Sequence, residues 1–488
     1  MKKFIISIIV LSTTFIGCNT DLDINRDPDA LNPNNAPLSA QLPAGITGII
    51  GTEGAGMAII GGMWSQYWTQ SNSANQYKSI DNYSIGTADY NFIWNGMYDA
   101  LGDIRNVKRR ALAEGNWNYY LIATTLEVQA SQVLTDFYGS IPYKEANNSA
   151  ILEPKFNTGE EIYTFMIEDL NNALSKDLAE SKGIIPGKDD FIFAGNMVNW
   201  TKFANTLKLK IYMRQTNSSR KAIADAGITQ MLAAGTQFLN VDAGMILDKD
   251  GISIFSDAIN QSNPLFEFNN RRLNVATNLR MSTTLFSILD GNSDSRLDEY
   301  YLAGNALNQG DFNNPVGAGT IAIVNLKPIT PAYLMAREES LLLQAEAKER
   351  YSGGTGAKAL YDAAVNANFT KYGLSGAAFV ATGGAYAYPT TGTFEQKLES
   401  IITQKWIASF PGNGFEAFFE TNRTGYPKTS AVPQSSPSYV PGQIAYAVNG
   451  TTSGLFPKRL AYPLSERNAN SNTPSLIPIT TPVWWNKK

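Results

Sequence analysis

The chain has 488 residues, 43% of them hydrophobic and 17% charged, with a net charge of −4. That length can bury a large core, and the balance of charge gives neither a footprint for nucleic acid nor a basic surface for acidic lipid. There is no histidine and a single cysteine, Cys18, which excludes Ser-His-Asp and Cys-His nucleophilic sites, the usual His/Cys zinc sites and any internal disulfide. Any catalysis would fall to carboxylates, Lys, Tyr or a borrowed metal.

At the N-terminus, Lys2 and Lys3 precede an apolar stretch over residues 4–16, too short to span a bilayer as an ordinary helix. Gly17 and Cys18 follow, and the chain turns polar at Asn19, Thr20 and Asp21. This order resembles a bacterial lipoprotein signal, although Phe15 and Ile16 depart from the usual pattern. It implies a cleaved leader over residues 1–17 and lipidation, with acyl chains such as palmitate, at Cys18. Residues 18–37, rich in Asn, Asp and Pro, cannot bury a core and are expected to form a flexible tether. Asp21 and Asp23 resemble the acidic signal that sends such lipoproteins to the cell surface. No other apolar run is expected to cross a membrane.

Residues 38–488 are expected to form one domain, mainly α-helical with minor β. Residues 38–63 read as a packed segment loosened by Gly and Ala. Asn91–Glu114 carries Phe92, Ile93, Met97, Leu101, Ile104 and Val107 at helical spacing, and residues 118–138 repeat the pattern. Thr158 with Glu161 three residues on makes a capping box that opens another helix. Further helices are expected from Asn199, over 334–351 and 356–372, and over 394–410, the last clear one. Small residues in 341–347 and 359–364, around a Gly-rich turn, resemble a tetratricopeptide hairpin. Long irregular insertions fall at 64–90, 183–198, 245–330, 374–393 and 420–482, with a short strand signal over 321–326. No Rossmann or P-loop glycine pattern occurs.

Four blocks then carry a family resemblance. Asp136-Phe137-Tyr138-Gly139-Ser140-Ile141-Pro142-Tyr143-Lys144-Glu145-Ala146 resembles the D-x-Y-G-D-I-P-Y-x-E-A segment of SusD/RagB outer-membrane lipoproteins, particularly their divergent SusD-like branch. Arg337-Glu338-Glu339-Ser340 through Glu346-Ala347 resembles that family's E-x-x-L-L-x-A-E-A helix. Gln404-Lys405-Trp406, with Phe415 to Pro427, resembles its Q-K-W-x-A block and the R-R-T-G-x-P run that follows. Arg459 to Pro463, with Glu466 and Asn468, resembles its near-terminal R-x-x-Y-P-x-x-E-x-x-x-N motif. Ser140 and Phe418 stand where Asp and Trp are common. The resemblance implies a tetratricopeptide-like scaffold and a nutrient-binding lipoprotein, not an enzyme. It also implies an outer-membrane location facing the exterior, a SusC-like TonB-dependent transporter as partner, and no cofactor.

Read physically, these blocks are mostly structural. Gly139 and Pro142 make a corner after a helix. Glu338, Glu339 and Glu346 are expected on a solvated or salt-bridged face with Arg337, Lys348 and Arg350. Trp406 belongs in the core with Ile402 and Phe410, and Arg423 and Arg459 are expected to pair with carboxylates.

The binding signal lies elsewhere. Residues 64–90 interleave aromatics with amides and hydroxyls, which suits a sugar: a flat ring stacks on its C–H face while polar side chains bond its hydroxyls. Trp68, Asn75, Gln76, Tyr77, Asp81 and Tyr83 are the candidates, against the competing reading of a helix end that buries its rings. Phe266 and Arg271 in the central insertion form a second candidate. No metal ligands are nominated. The expected ligand is an oligosaccharide. A peptide or other polymer held in the same architecture, or a carboxylate-based glycosidase, are the alternatives.

Overall fold

The computed structural model describes residues 36–248, 250–315 and 318–486. The leader, Cys18 and nearly all of the 18–37 stretch lie outside the described residues. Leu38–Lys488 forms a single compact unit.

The unit opens on a continuous helical run: α1 (Leu38–Thr52), a π-helical turn (Glu53–Met57) and α2 (Ala58–Trp64). Contrary to the sequence expectation, this run is long and apolar enough to cross a membrane by length and composition. However, 67% of its most apolar window is buried within the protein, as in a core helix. Its glycines permit close crossing: a Cβ on Gly48 would stand 2.8 Å from the Cβ of Ala100, and one on Gly61 would stand 2.0 Å from the backbone nitrogen of Phe415.

α3 (Asn91–Glu114) and α4 (Trp117–Tyr138) make the first hairpin. Gly115, at φ 72°, ends α3, and the Asn116 side chain accepts from the Tyr119 N–H to open α4 at once. With only two residues between them the helices must run antiparallel. α4 is buried on nearly every face, packed by α3, α5 (Gly159–Leu174) and α6 (Met197–Arg214). The capping box on α5 is present as expected, Thr158 and Glu161 bonding reciprocally. A second hairpin joins α9 (Arg337–Tyr351) to α10 (Ala357–Lys371), turning through Gly353, Gly354 and Gly356 at positive φ. The architecture is thus mainly α with tetratricopeptide-like hairpins. Its paired strands are short: β1 (Trp68–Thr69) with β5 (Arg280–Met281), β2 (Ile141–Pro142) with β3 (Phe156–Asn157), and β4 (Ala243–Met245) with β6 (Ala332–Met335), all antiparallel.

Several elements differ from the sequence reading. Asn196 caps α6, which starts at Met197 rather than at Asn199. The expected helix over 334–351 starts at Arg337, because 332–335 is drawn into pairing with β4. The longer helices that were not expected are α7 (Lys221–Ala233), α8 (Thr283–Gly291) and α12 (Gly414–Thr424), which follows α11 (Phe394–Ala408). The strand signal over 321–326 is realised only as isolated bridges from Ile321, Ile323 and Val324.

The largest departure is electrostatic. Glu338, Glu339 and Glu346 are salt-bridged, Glu346 to Arg350 at 2.7 Å as expected, but they are buried rather than solvated. They join an ionic spine linking α4, α6, α9, α11 and α12. Arg214 reaches Asp136 at 3.0 Å and Glu416 at 2.7 Å and also pairs with Glu420. Lys210 bridges Glu416 at 2.6 Å and Glu339 at 3.1 Å. Arg423 takes both oxygens of Glu346, at 2.8 and 2.6 Å, and pairs with Glu420. Trp485 and Tyr163 donate to the remaining oxygen of Asp136. Burial alone would raise the Glu420 carboxyl, but Arg423, Lys405 and Arg214 hold it well below the usual range. Arg459 differs from its expected role: its Nη2 donates to the Tyr138 carbonyl oxygen, tying the C-terminal segment to the end of α4 at the Gly139 corner. Trp406 is buried as expected.

Candidate functional site

After α2 the chain reverses through Gln66, at φ 58°, whose amide side chain bonds both backbone groups of Ala445 and so fixes the turn. This reversal aims the aromatics that follow into the core. Trp68 has no exposed surface, its Nε1 donates to the Ile59 carbonyl at 3.2 Å, and its ring meets Tyr67 and Phe410 edge-on. Tyr77 and Tyr83 are buried as well, Tyr83 against Tyr446 and Phe456. Asp81 is fully enclosed and accepts from Thr69 Oγ1 at 2.7 Å, the Gln70 N–H at 2.9 Å and Gln309 Nε2 at 2.5 Å. Burial pushes its carboxyl up to about 6 against those hydrogen bonds. In this fold Trp68, Tyr77, Asp81 and Tyr83 are core groups and offer no free ring or carboxylate to a ligand, though Trp68 is buried from β1 and not from the helix, which ends at Trp64. Asn75 and Gln76, between Ser71 and Tyr77, face solvent.

The second candidate segment meets the first. Asn263 caps a short helix, Pro264–Phe266, its Oδ1 accepting from the Leu265 and Phe266 N–H groups, and a π-helical turn, Glu267–Arg272, follows. That turn packs against the other π-helical turn, Glu53–Met57. Such turns recur at functional sites because the extra residue re-aims side chains. Tyr77 Oη donates to Asn269 Oδ1 at 3.3 Å, and Gln70 Nε2 donates to the Asn278 carbonyl at 2.9 Å. β1 and β5 pair just beyond. Phe266 is half-buried with the Arg271 guanidinium 5.3 Å over its ring. Arg271 also pairs with Asp257, and its Nε lies 3.5 Å from Glu267.

Two residues of this face were missed as ligand candidates. Phe92 was assigned to the apolar stripe of α3, but it is 43% exposed and stacks on Phe268 with ring centres 5.5 Å apart. A helical wheel carried the signal: Ile93, Met97, Leu101 and Ile104 point inward and Phe92 falls off their stripe. Phe268 carried none, because its exposure depends on the π turn. The face therefore joins the exposed or half-exposed rings of Phe92, Phe266 and Phe268 to the guanidinium of Arg271, and the exposed amides of Asn75 and Gln76 belong to the segment that Tyr77 and Gln70 tie to it. Rings and amides together can stack on and bond a sugar. No cluster of His, Cys, Asp and Glu able to hold a metal occurs among the described residues.

A family profile described as "Starch-binding associating with outer membrane", SusD-like, matches residues 46–463. Among solved structures, a SusD homolog from Bacteroides uniformis superposes with a TM-score of 0.71 at 22% identity, covering 92% of this chain and 99% of its own. A chitin-binding SusD homolog from Flavobacterium johnsoniae gives 0.70 at 22% identity, covering 91% and 98%. A SusD homolog from Bacteroides thetaiotaomicron gives 0.69 at 21% identity, covering 93% and 100%. At that identity the superpositions establish a shared fold. No curated protein sequence matches the chain.

Proposed function

Since the chain belongs to the SusD-like family of starch-binding proteins that associate with the outer membrane, we propose that it binds an oligosaccharide on the face where residues 69–81 meet residues 263–272. It is a binding protein, not an enzyme, like the other members of its family. The observation that supports this location is the stack of exposed Phe92 on Phe268 beside Phe266 and Arg271, on a segment that Tyr77 ties to residues 69–81. In this reading the bound glycan passes to a SusC-like TonB-dependent transporter, and acyl chains on Cys18 hold the protein on the outer face of the outer membrane. Several acyl chains are needed, because one alone anchors only marginally.

A glycan array on the purified protein tests the ligand class, with starch and chitin oligosaccharides as first probes and with products monitored for hydrolysis. Binding without cleavage is expected. Retention of peptides but no sugar would move the ligand to another polymer, and released sugar would make the protein a glycosidase. Co-purification with a TonB-dependent barrel from outer membranes tests the partner, and a Cys18→Ala variant that leaves the membrane fraction tests the anchor.

A further inference from the structure

A cavity of about 380 Å³ lies under the 325–331 loop. It falls in the size range of small-molecule sites, roughly 300–1,000 Å³. Exposed Lys327 and Ile329 stand at its rim, Tyr333, Tyr372 and Phe410 form apolar walls, and Glu53, Glu338 and Lys405 are buried among its lining.

Four polar atoms of that lining have no hydrogen-bond partner, Glu53 Oε2, Glu338 Oε2, Glu339 Oε1 and Lys405 Nζ, and of these Glu339 Oε1 has Lys210 at 3.1 Å as an ion-pair partner. Their residues are at most 4% exposed. Buried unsatisfied groups are rare in folded proteins and call for an occupant. Glu338 spends its other oxygen on Lys371, at 2.8 Å, and Asn368. Lys405 stands 3.7 Å from Glu420 and 3.8 Å from Glu339, beyond hydrogen-bond reach. Glu53 is the acid left over. Lys210, the cation that most influences it, is engaged by Glu416 and Glu339 at 2.6 and 3.1 Å. A carboxyl without a cation beside aromatic walls is the chemistry that holds an ammonium group.

We infer that this cavity, which borders the glycan face through Asn263 and Leu265 but opens under the 325–331 loop, is a second ligand site for a small solute bearing a primary ammonium. The ammonium sits on Glu53, and hydroxyls of the solute satisfy Glu338 and Lys405. Burial raises the Glu53 carboxyl to about 8, and an ammonium beside it would favour the carboxylate and draw that proton off.

Glucosamine is the probe, with N-acetylglucosamine and glucose as comparators that have the same ring but no ammonium. Calorimetry on the purified protein should show glucosamine binding at least tenfold more tightly than either comparator. Glu53→Gln should weaken it tenfold or more. Equal affinity for the three sugars, or a folded Glu53→Gln variant that binds as wild type does, overturns the proposal. If Glu53→Gln fails to fold, wild-type crystals soaked with glucosamine decide. Sugar density against Glu53 is expected, and a cavity holding only water, or sugar placed elsewhere, contradicts the assignment.

Discussion

The ionic spine and the ligand face use the same residue types to opposite ends. In the spine, Asp136, Lys210, Arg214, Glu346, Glu416, Glu420 and Arg423 are buried, and each has at least one partner of opposite charge. On the face, Arg271 is the main cation, and its partner Asp257 has a side chain 73% exposed. The spine sits on long helices that pack on several sides, whereas the face, apart from Phe92 at the start of α3, sits on turns of three to six residues. Charge in the helical frame therefore fixes how helices cross, and charge on the face remains available to a ligand. Mutations should separate the same way, costing folding in the frame and binding on the face.

The largest effect should come from the spine. Arg423→Met removes the two-pronged partner of Glu346, leaving it Arg350 alone, and one of the cations around Glu420, and should cost about 3 kcal/mol, read as a lower urea midpoint. A loss below about 1 kcal/mol would put the spine on the same footing as a surface pair.

Glu53 gives the next effect and a definite sign. Burial raises its folded carboxyl to about 8, above the roughly 4.3 of an unfolded Glu. Between those values the folded chain carries a proton that the unfolded chain has lost, so this contribution is full at acid pH and declines as pH rises towards 8. Glu53→Gln keeps the neutral form at all pH. At about 1.4 kcal/mol per pKa unit, it should gain roughly 2–4 kcal/mol on wild type between pH 5 and pH 8. Parallel stability curves for the two proteins would show that the folded carboxyl is not raised.

On the face the effects are smaller and different in kind. Arg271→Ala should change stability by less than about 1 kcal/mol, as for other exposed pairs. A larger drop in thermal midpoint would mean that the π turn depends on that cation and that the two regions are less distinct than described.

The long helices of the frame were legible in the sequence because period and punctuation agreed. Asn91–Glu114 combines an apolar period with Gly115 at its C-terminus, and α5 announces itself by Thr158 and Glu161. α12 was not recognised as a helix because it buries Glu416, Glu420 and Arg423 together with Phe415 and Phe419, which erases the polar side of the pattern. The same cause made Glu338, Glu339 and Glu346 look solvated: a single chain does not reveal cations arriving from α6, α10 and α12. In the site, aromatic and amide composition correctly marked residues 64–90 as unusual but not the direction of the rings. That direction is set by the left-handed turn at Gln66, whose partner, Ala445, lies 379 residues away. Phe266 and Arg271 were read from a local cluster and do lie at the junction, whereas Phe268 and its stack on Phe92 depend on tertiary contact.

The most direct test of the account is calorimetry of the glycan found on the array with wild type, Phe92→Ala and Phe266→Ala, alongside their thermal midpoints. If the rings stack on sugar, each truncation should weaken binding by about 1–3 kcal/mol, roughly 5- to 150-fold, a range borrowed from base–aromatic stacking. Their thermal midpoints should stay close to wild type. Unchanged affinity in both variants would contradict the placement of the ligand on this face.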